Sequence, residues 1–200
     1  MMLKYLYMIT KEEGEYMKKA MLIASLIIIA IPTSTLAKER LSIGYIYNSS
    51  ITHSQIVENT KESVNVVSPT SFDLNSNGRL VINSLMNKEF IAEMHEKNIK
   101  VTPFLSNHWE RKKAKKALDK PEKLVEDIVN AVNEYDLDGI NIDLENLTSG
   151  YRNKLTTFME LLREALPDDK MLSIAVAANP EKLETTWVAA YDYEKLAQCT

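Results

Sequence analysis

The chain has 200 residues, a formal net charge of −4 and an apolar fraction of 45%. These values are typical of a soluble globular protein, and they exclude a disordered, a collagen-like or a strongly basic chain. Because the charge balance is weakly acidic, we expect no nucleic acid as a partner.

The N-terminus has the pattern of an export signal. Two lysines at 18–19 precede an apolar run over 20–31, and a small-residue stretch then ends at Ala37. This order predicts a secretory signal peptide over 1–37, with Met17 as an alternative true start. The apolar run is shorter than the about 20 residues that a bilayer span needs, which favours a cleaved signal. An uncleaved anchor in this segment is the alternative. It would be the protein's only membrane contact.

Cysteine and histidine, the usual zinc ligands, are few and scattered. Cys199 is the single cysteine, so no internal disulfide is possible. The three histidines, His53, His95 and His108, show no metal-ligand spacing. We therefore predict no structural or catalytic zinc, and we also expect no other metal and no organic cofactor.

Residues 38–200 alternate between two hydrophobic periodicities. Short β-branched runs predict strands, and apolar residues at helical spacing predict the helices between them. The polar segment 71–78 is predicted to be a loop. This alternation predicts an α/β fold with a parallel sheet, either doubly wound or closed as a barrel. The predicted strands span 41–47, 64–68, 100–105, 139–144 and 172–177, and the predicted helices 54–62, 83–97, 121–135, 151–165 and 191–198.

The strand predicted over 139–144 carries polar residues where a buried strand should be apolar. Because side chains alternate along a strand, Asn141, Asp143 and Glu145 share one face. A helix-covered parallel strand is normally apolar throughout, so an amide and two acids on one face indicate a site. Two neighbouring acids push their pKa values apart, which lets one remain protonated as a general acid. A solvated edge strand or a divalent-cation site is the alternative.

The segment "DGINIDLENL" resembles the Asp-x-x-Asp-x-Asp-x-Glu motif of glycoside hydrolase family 18, the chitinases and their relatives. Asp138, Asp143 and Glu145 match the motif, whereas Asn141 stands at its middle acid. The segment is similar to the branch that acts on peptidoglycan and spore cortex. "VNVVSPTSFDL", "VTPFLSNHW" and "LSIAVAANP" extend the resemblance. It implies that 38–200 is part of a (β/α)8 TIM-type barrel, incomplete at about strands 1 to 5 of 8.

The resemblance also implies a mechanism and a substrate. Glu145 would protonate the leaving oxygen while the substrate's own acetamido group attacks, with retention of configuration. Asp143 would orient that group, and Asn141 would hold Asp143 and tune the site. The implied substrate is an N-acetylated polysaccharide with β-1,4 bonds, peptidoglycan or spore cortex first and chitin second. The implied location is secreted, or associated with the cell wall or spore. A non-catalytic carbohydrate-binding relative and an inactive truncated remnant are the alternatives.

Five further residues at or after strand ends are expected to contact substrate. Tyr45, Phe72 and Trp109 have rings that suit stacking on a sugar, although aromatic residues also fill barrel cores. Asn107 and Asn179 have amides that suit hydrogen bonding to it, although Asn179 precedes a proline and is equally typical of a turn.

Two residues at the start of the motif are expected to be structural rather than catalytic. Asp138 would support the beginning of the strand, and Gly139 would be a structural residue at the same place. The basic run 111–116 is predicted to be a solvated helix face, with attraction of an anionic wall polymer as the alternative.

Overall fold

A computed structural model describes residues 40–200, which contain eight strands and six α-helices. The strands are β1 (Ile43–Ile46), β2 (Val66–Pro69), β3 (Phe72–Leu74), β4 (Leu80–Ile82), β5 (Lys100–Val101), β6 (Phe104–Ser106), β7 (Gly139–Asp143) and β8 (Met171–Ile174). The helices are α1 (His53–Glu58), α2 (Lys88–Glu96), α3 (Arg111–Leu118), α4 (Pro121–Glu134), α5 (Arg152–Ala165) and α6 (Tyr193–Cys199), with 3-10 turns at Ser149–Tyr151 and Trp187–Ala190.

The parallel strands follow one another in chain order. One sheet has the order β1-β2-β5 and the other β4-β3-β6-β7-β8, and only β4 is antiparallel to its neighbour. Two residues separate β2 from β3, and two separate β5 from β6. The strand pairing continues through the two residues between β5 and β6. Thr102 N donates to Val67 O at 2.9 Å, and Asn141 N donates to Pro103 O at 3.0 Å.

The result is five adjacent parallel strands: β1, β2 with β3, β5 with β6, β7, and β8. A doubly wound sheet reverses its strand order at a switch point, whereas a (β/α)8 barrel adds each strand beside the last. The order observed here is that of a barrel, so the predicted incomplete barrel is confirmed.

The segment predicted as a polar loop over 71–78 is instead half of a β-hairpin. β3 pairs with β4 through a turn in which Asn75 Oδ1 accepts hydrogen bonds from two backbone amides. Gly78 closes this turn at φ 76°, a region that glycine adopts without strain. The loop prediction was wrong because strands of three residues are too short to show a periodicity.

The apolar residues at helical spacing that predict the helix over 121–135 form a buried stripe on α4. α4 begins with Pro121 at its first turn and follows it with Glu122 at the positive end of the helix dipole. Its stripe packs on α5, which presents a stripe of its own. The buried residues are Leu124, Val125, Ile128, Ala131 and Val132 on α4, and Leu155, Thr156, Phe158, Met159 and Leu162 on α5.

The basic run forms α3, a helix with one buried and one solvated face. Ala114, Ala117 and Leu118 are buried, whereas Lys112 and Lys116 are exposed. This arrangement agrees with the solvated helix face predicted for 111–116.

The predicted signal segment over 1–37 lies outside the described residues. Between residues 40 and 200, no helix combines the length and apolar character that crossing a membrane requires.

Candidate active site

The register of the parallel strands determines which side chains line the face opposite the helices. Residues paired across parallel strands point to the same face, and successive residues alternate. Ile142 and Leu105 are fully buried on the helix-covered side. Their neighbours along the strands therefore form two rows on the inner face. The upper row, nearer the carboxyl ends of the strands, is Asp73, Ser106 and Asp143. The lower row, nearer their amino ends, is Phe104, Asn141 and Ser173.

Asn141 is buried in the lower row and fully engaged by neutral partners. The Tyr45 hydroxyl donates to Asn141 Oδ1 at 2.8 Å, and Asn141 Nδ2 donates to Ser173 Oγ at 2.7 Å. No hydrogen bond joins Asn141 to Asp143 in the part of the chain that the structure describes, so the expectation that Asn141 holds Asp143 in this way is not met. The ring of Tyr45 lies 5.3 Å from that of Phe104.

Glu145 follows β7 and is held by the loop after β6. Asn107 is fully buried, and its amide bonds both backbone groups of Glu145: Glu145 N donates to Asn107 Oδ1 at 2.8 Å, and Asn107 Nδ2 donates to Glu145 O at 3.0 Å. Asn107 is therefore a positioning residue and not the substrate contact that was expected. Its polar atoms are already bonded to the backbone that carries the acid.

Three more hydrogen bonds tie the same two loops together. Arg111 donates to Asn146 O and Asn146 Oδ1, each at 2.6 Å, and Asn146 Nδ2 donates to Trp109 O at 3.0 Å. We call the five bonds between 107–111 and 145–146 the clasp. The clasp fixes the backbone of Glu145, and none of its five bonds involves the Glu145 carboxyl group.

Both acids have a raised pKa, and Asp143 contributes to the shift of Glu145. Burial raises the pKa of the Glu145 carboxyl, and the nearby charge of Asp143 raises it further. Burial also raises the pKa of Asp143, whereas the His108 imidazole lowers it. Glu145 therefore retains its proton to a higher pH than a free glutamate does, as a proton donor requires.

The other predicted substrate contacts have different surroundings. Phe72 is completely buried and pairs in register with Leu105, so it faces the helices and offers no ring to a ligand. The stacking prediction for Phe72 was wrong, because the inward position belongs to the next residue, Asp73. Asn179 bonds Leu183 N at 2.8 Å and Leu183 O at 3.0 Å, which closes a turn. Both polar atoms of the Asn179 amide are used, as the turn alternative requires.

Trp109 is 49% exposed and heads an aromatic cluster that the sequence did not reveal. Its ring contacts Trp187 edge-on at 5.1 Å, and Trp187 contacts Tyr191 at 6.4 Å. The buried Tyr191 hydroxyl donates to Leu144 O at 3.1 Å, one residue before Glu145. The spacing of Trp187 and Tyr191, four residues apart after the last strand, was the available sequence signal.

Asp138 and Gly139 lie at the amino end of β7, away from the acids. Asp138 Oδ2 accepts from Val101 N at 2.8 Å and lies 2.8 Å from His95 Nε2. A side chain at Gly139 would meet Met171 O at 1.9 Å. These contacts support the structural roles expected for both residues. Across residues 40–200, no three His, Cys, Asp or Glu side chains group so as to hold a metal ion.

Three bacterial structures illustrate what the fold is similar to. The spore cortex-lytic enzyme SleL of Bacillus cereus has a TM-score of 0.69 and 17% identity, covering 80% of this chain and 40% of that one. The chitinase of Chromobacterium violaceum has a TM-score of 0.69 and 19% identity, covering 80% and 54%. The chitinase domain of the spore coat protein CotE of Clostridium difficile has a TM-score of 0.64 and 19% identity, covering 83% and 50%.

The likeness to these structures shows the fold, and the chain spans between 40% and 54% of their length. No match was found among curated protein sequences. The sequence model of glycosyl hydrolases family 18 matches residues 42–199, a region that contains β1 to β8, both acids and the clasp. The chain therefore belongs to glycosyl hydrolase family 18.

Proposed function

We propose that this protein is a secreted or spore-associated glycosidase that cleaves β-1,4 bonds in N-acetylated polysaccharides. Peptidoglycan, including spore cortex, is the preferred substrate and chitin the second. The observation that carries the proposal is the placement of Asp143 and Glu145 at the carboxyl end of β7, where parallel barrels hold their active sites. Both acids are partly buried on the inner side, and both have a raised pKa.

The proposed reaction has two steps. Glu145 donates its proton to the glycosidic oxygen as the substrate's acetamido oxygen attacks the anomeric carbon, so the leaving sugar departs and a cyclic oxazolinium ion forms. Asp143 orients the acetamido group and stabilises the positive charge on it. Glu145, now a carboxylate, then takes a proton from water as that water opens the ring, with overall retention of configuration.

The surroundings of the acids suit a sugar chain. Trp109 exposes half its surface on a loop tied to Glu145 and is backed by Trp187, so its ring offers a supported stacking face. Tyr45 is 39% exposed on the inner face, beside Asn141. Aromatic faces of this kind complement the apolar faces of pyranose rings. The names of the similar proteins, a cortex-lytic enzyme and chitinases, support the substrate class.

The test is the dependence of hydrolysis on the acetamido group. We expect the protein to release reducing ends from peptidoglycan or chitin oligosaccharides and to leave the fully de-N-acetylated oligosaccharides uncut. Proton NMR of the first product should show the retained anomer. Equal hydrolysis of acetylated and deacetylated substrates would contradict substrate assistance. Binding of the glycans without any release would support the carbohydrate-binding alternative.

The clasp predicts that loss of the Asn107 side chain displaces Glu145 and lowers activity. Asn107→Ala removes both bonds to the backbone of Glu145, and we expect kcat/KM to fall by about 10²-fold, as for other small displacements of reacting groups. Asn75→Ala is the matched control, because Asn75 also bonds two backbone amides but in the hairpin turn. Steady-state kinetics and thermal melts of both variants separate misplacement from unfolding. An equal loss of activity in the two variants would argue against the clasp.

A further inference from the structure

A histidine–aspartate pair lies beside the two acids and has no place in the proposed reaction. His108 Nε2 lies 2.5 Å from Asp73 Oδ1, and the His108 backbone N–H donates to Ser106 Oγ at 3.0 Å. The other carboxylate oxygen, Asp73 Oδ2, accepts from Asn83 Nδ2 at 3.1 Å. The histidine is thus anchored at its ring and at its backbone.

The pair is part of the upper row. Asp73, Ser106 and Asp143 are register neighbours on three adjacent strands, and their side chains point to the inner face. His108 bonds to the first two members of that row, through its ring to Asp73 and through its backbone to Ser106, and Asp143 is the next member.

We infer that the Asp73–His108 pair is a positioning device for Asp143, which holds an imidazole on the same row of side chains as the carboxylate proposed to orient the acetamido group. This inference rests on the proposed function for the role of Asp143, and it adds Asp73 and His108 to the site. His108 acts through Asp143 and is not assigned contact with the reacting atoms.

The backbone at His108 is strained in a way that fits this assignment. His108 and the next residue, Trp109, have φ values of 47° and 64°, both in the left-handed region. Residues other than glycine are disfavoured there, because Cβ comes too close to the following carbonyl oxygen. Strain of this kind persists where the surrounding structure fixes it, and it is concentrated at functional sites. Here the same two residues carry the imidazole and the stacking face.

The charges around Asp143 show what the histidine contributes. The ionisable groups around the site include Tyr45 from β1, Asp73 from β3, His108 from the loop after β6, Glu145 after β7 and Tyr191 before α6. Among these only His108 can be a cation. Burial raises the pKa of Asp143, and His108 opposes that rise. Since Asn141 is an amide engaged by Tyr45 and Ser173, it supplies no acidic proton to Asp143.

The experiment measures the titration of Asp143 in the chain labelled with ¹³C at its aspartate carboxyl groups, with Asp143→Asn to assign the signal. Replacing His108 with Asn removes the charge and keeps a residue type that tolerates positive φ. We expect the pKa of Asp143 to rise in this variant, because the imidazole that opposes the effect of burial is removed. Asp73→Asn, which removes the anchor, should shift it in the same direction, and His108→Lys should return it towards the wild-type value.

The matched control is a second pair of the same kind at the other end of the strand. His95 Nε2 lies 2.8 Å from Asp138 Oδ2, at the amino end of β7. His95→Asn should leave the titration of Asp143 unchanged. An unchanged Asp143 in folded His108→Asn or Asp73→Asn, or an equal shift in His95→Asn, would overturn the inference.

The NMR measurement requires no turnover, which separates this inference from the proposed function. A shifted Asp143 in a chain that hydrolyses no glycan would support the pair and count against the function. In an active protein, the acidic limb of the pH–rate profile should move to higher pH in His108→Asn. That limb depends on the ionised form of Asp143, and a purely structural defect would lower the rate without moving it.

Discussion

Glu145→Gln should lower kcat on an N-acetylated glycan by about 10²- to 10⁴-fold, the range that general acid–base catalysis supplies. The substitution removes the transferable proton and keeps the size and shape of the side chain. Because the clasp bonds the backbone of residue 145 and not its side chain, the substituted residue should stay in place. KM should therefore change little, and thermal melts should be close to those of the wild type.

The pH dependence has a definite sign. Burial and the charge of Asp143 both raise the pKa of Glu145, so the basic limb of the pH–rate profile should lie above the ordinary glutamate range. Glu164→Gln, on the exposed face of α5, is the control and should retain full activity. Retention of more than half the wild-type kcat in Glu145→Gln would exclude this residue as the acid.

The features predicted from the sequence are those that depend on local periodicity. The inward face of β7 follows from the alternation of side chains along a single strand, so Asn141, Asp143 and Glu145 were identified without knowledge of the neighbouring strands. The same applies to α4, where the apolar stripe and Pro121 are both local signals. The barrel order itself came from the resemblance, because alternation of strands and helices leaves a doubly wound sheet open.

The features that were not predicted depend on register and on loop geometry. The ring of Phe72 suits stacking on a sugar, but a shift of one residue reverses the face, and Asp73 is the residue that faces inward. Ser173 bonds Asn141 only because β7 and β8 pair in one particular register. Nothing in the local sequence around His108 indicates a left-handed backbone, since both anchors of that residue, Asp73 and Ser106, lie on strands.

The second large effect concerns folding and should be independent of activity. Gly139→Ala should destabilise the protein by more than about 4 kcal/mol, or prevent folding altogether. Gly139 has φ 147°, and an added Cβ would lie 1.9 Å from Met171 O and 2.7 Å from Met171 N. These are backbone atoms of the neighbouring strand, and Met171 N is already bonded to Asp138 O at 2.7 Å. The clash of the added Cβ with Met171 can therefore be removed only if β7 and β8 move apart.

Gly150→Ala is the matched control for this prediction, since its added Cβ has Thr148 Oγ1 at 3.8 Å as its nearest neighbour, an ordinary contact. Circular dichroism and urea denaturation should show wild-type unfolding for Gly150→Ala and an unfolded or insoluble chain for Gly139→Ala. If Gly139→Ala unfolded cooperatively at the wild-type midpoint, the close approach of β7 and β8 would be wrong. The register that brings Ser173 to Asn141 depends on that same approach, so the geometry of the lower row would be wrong with it.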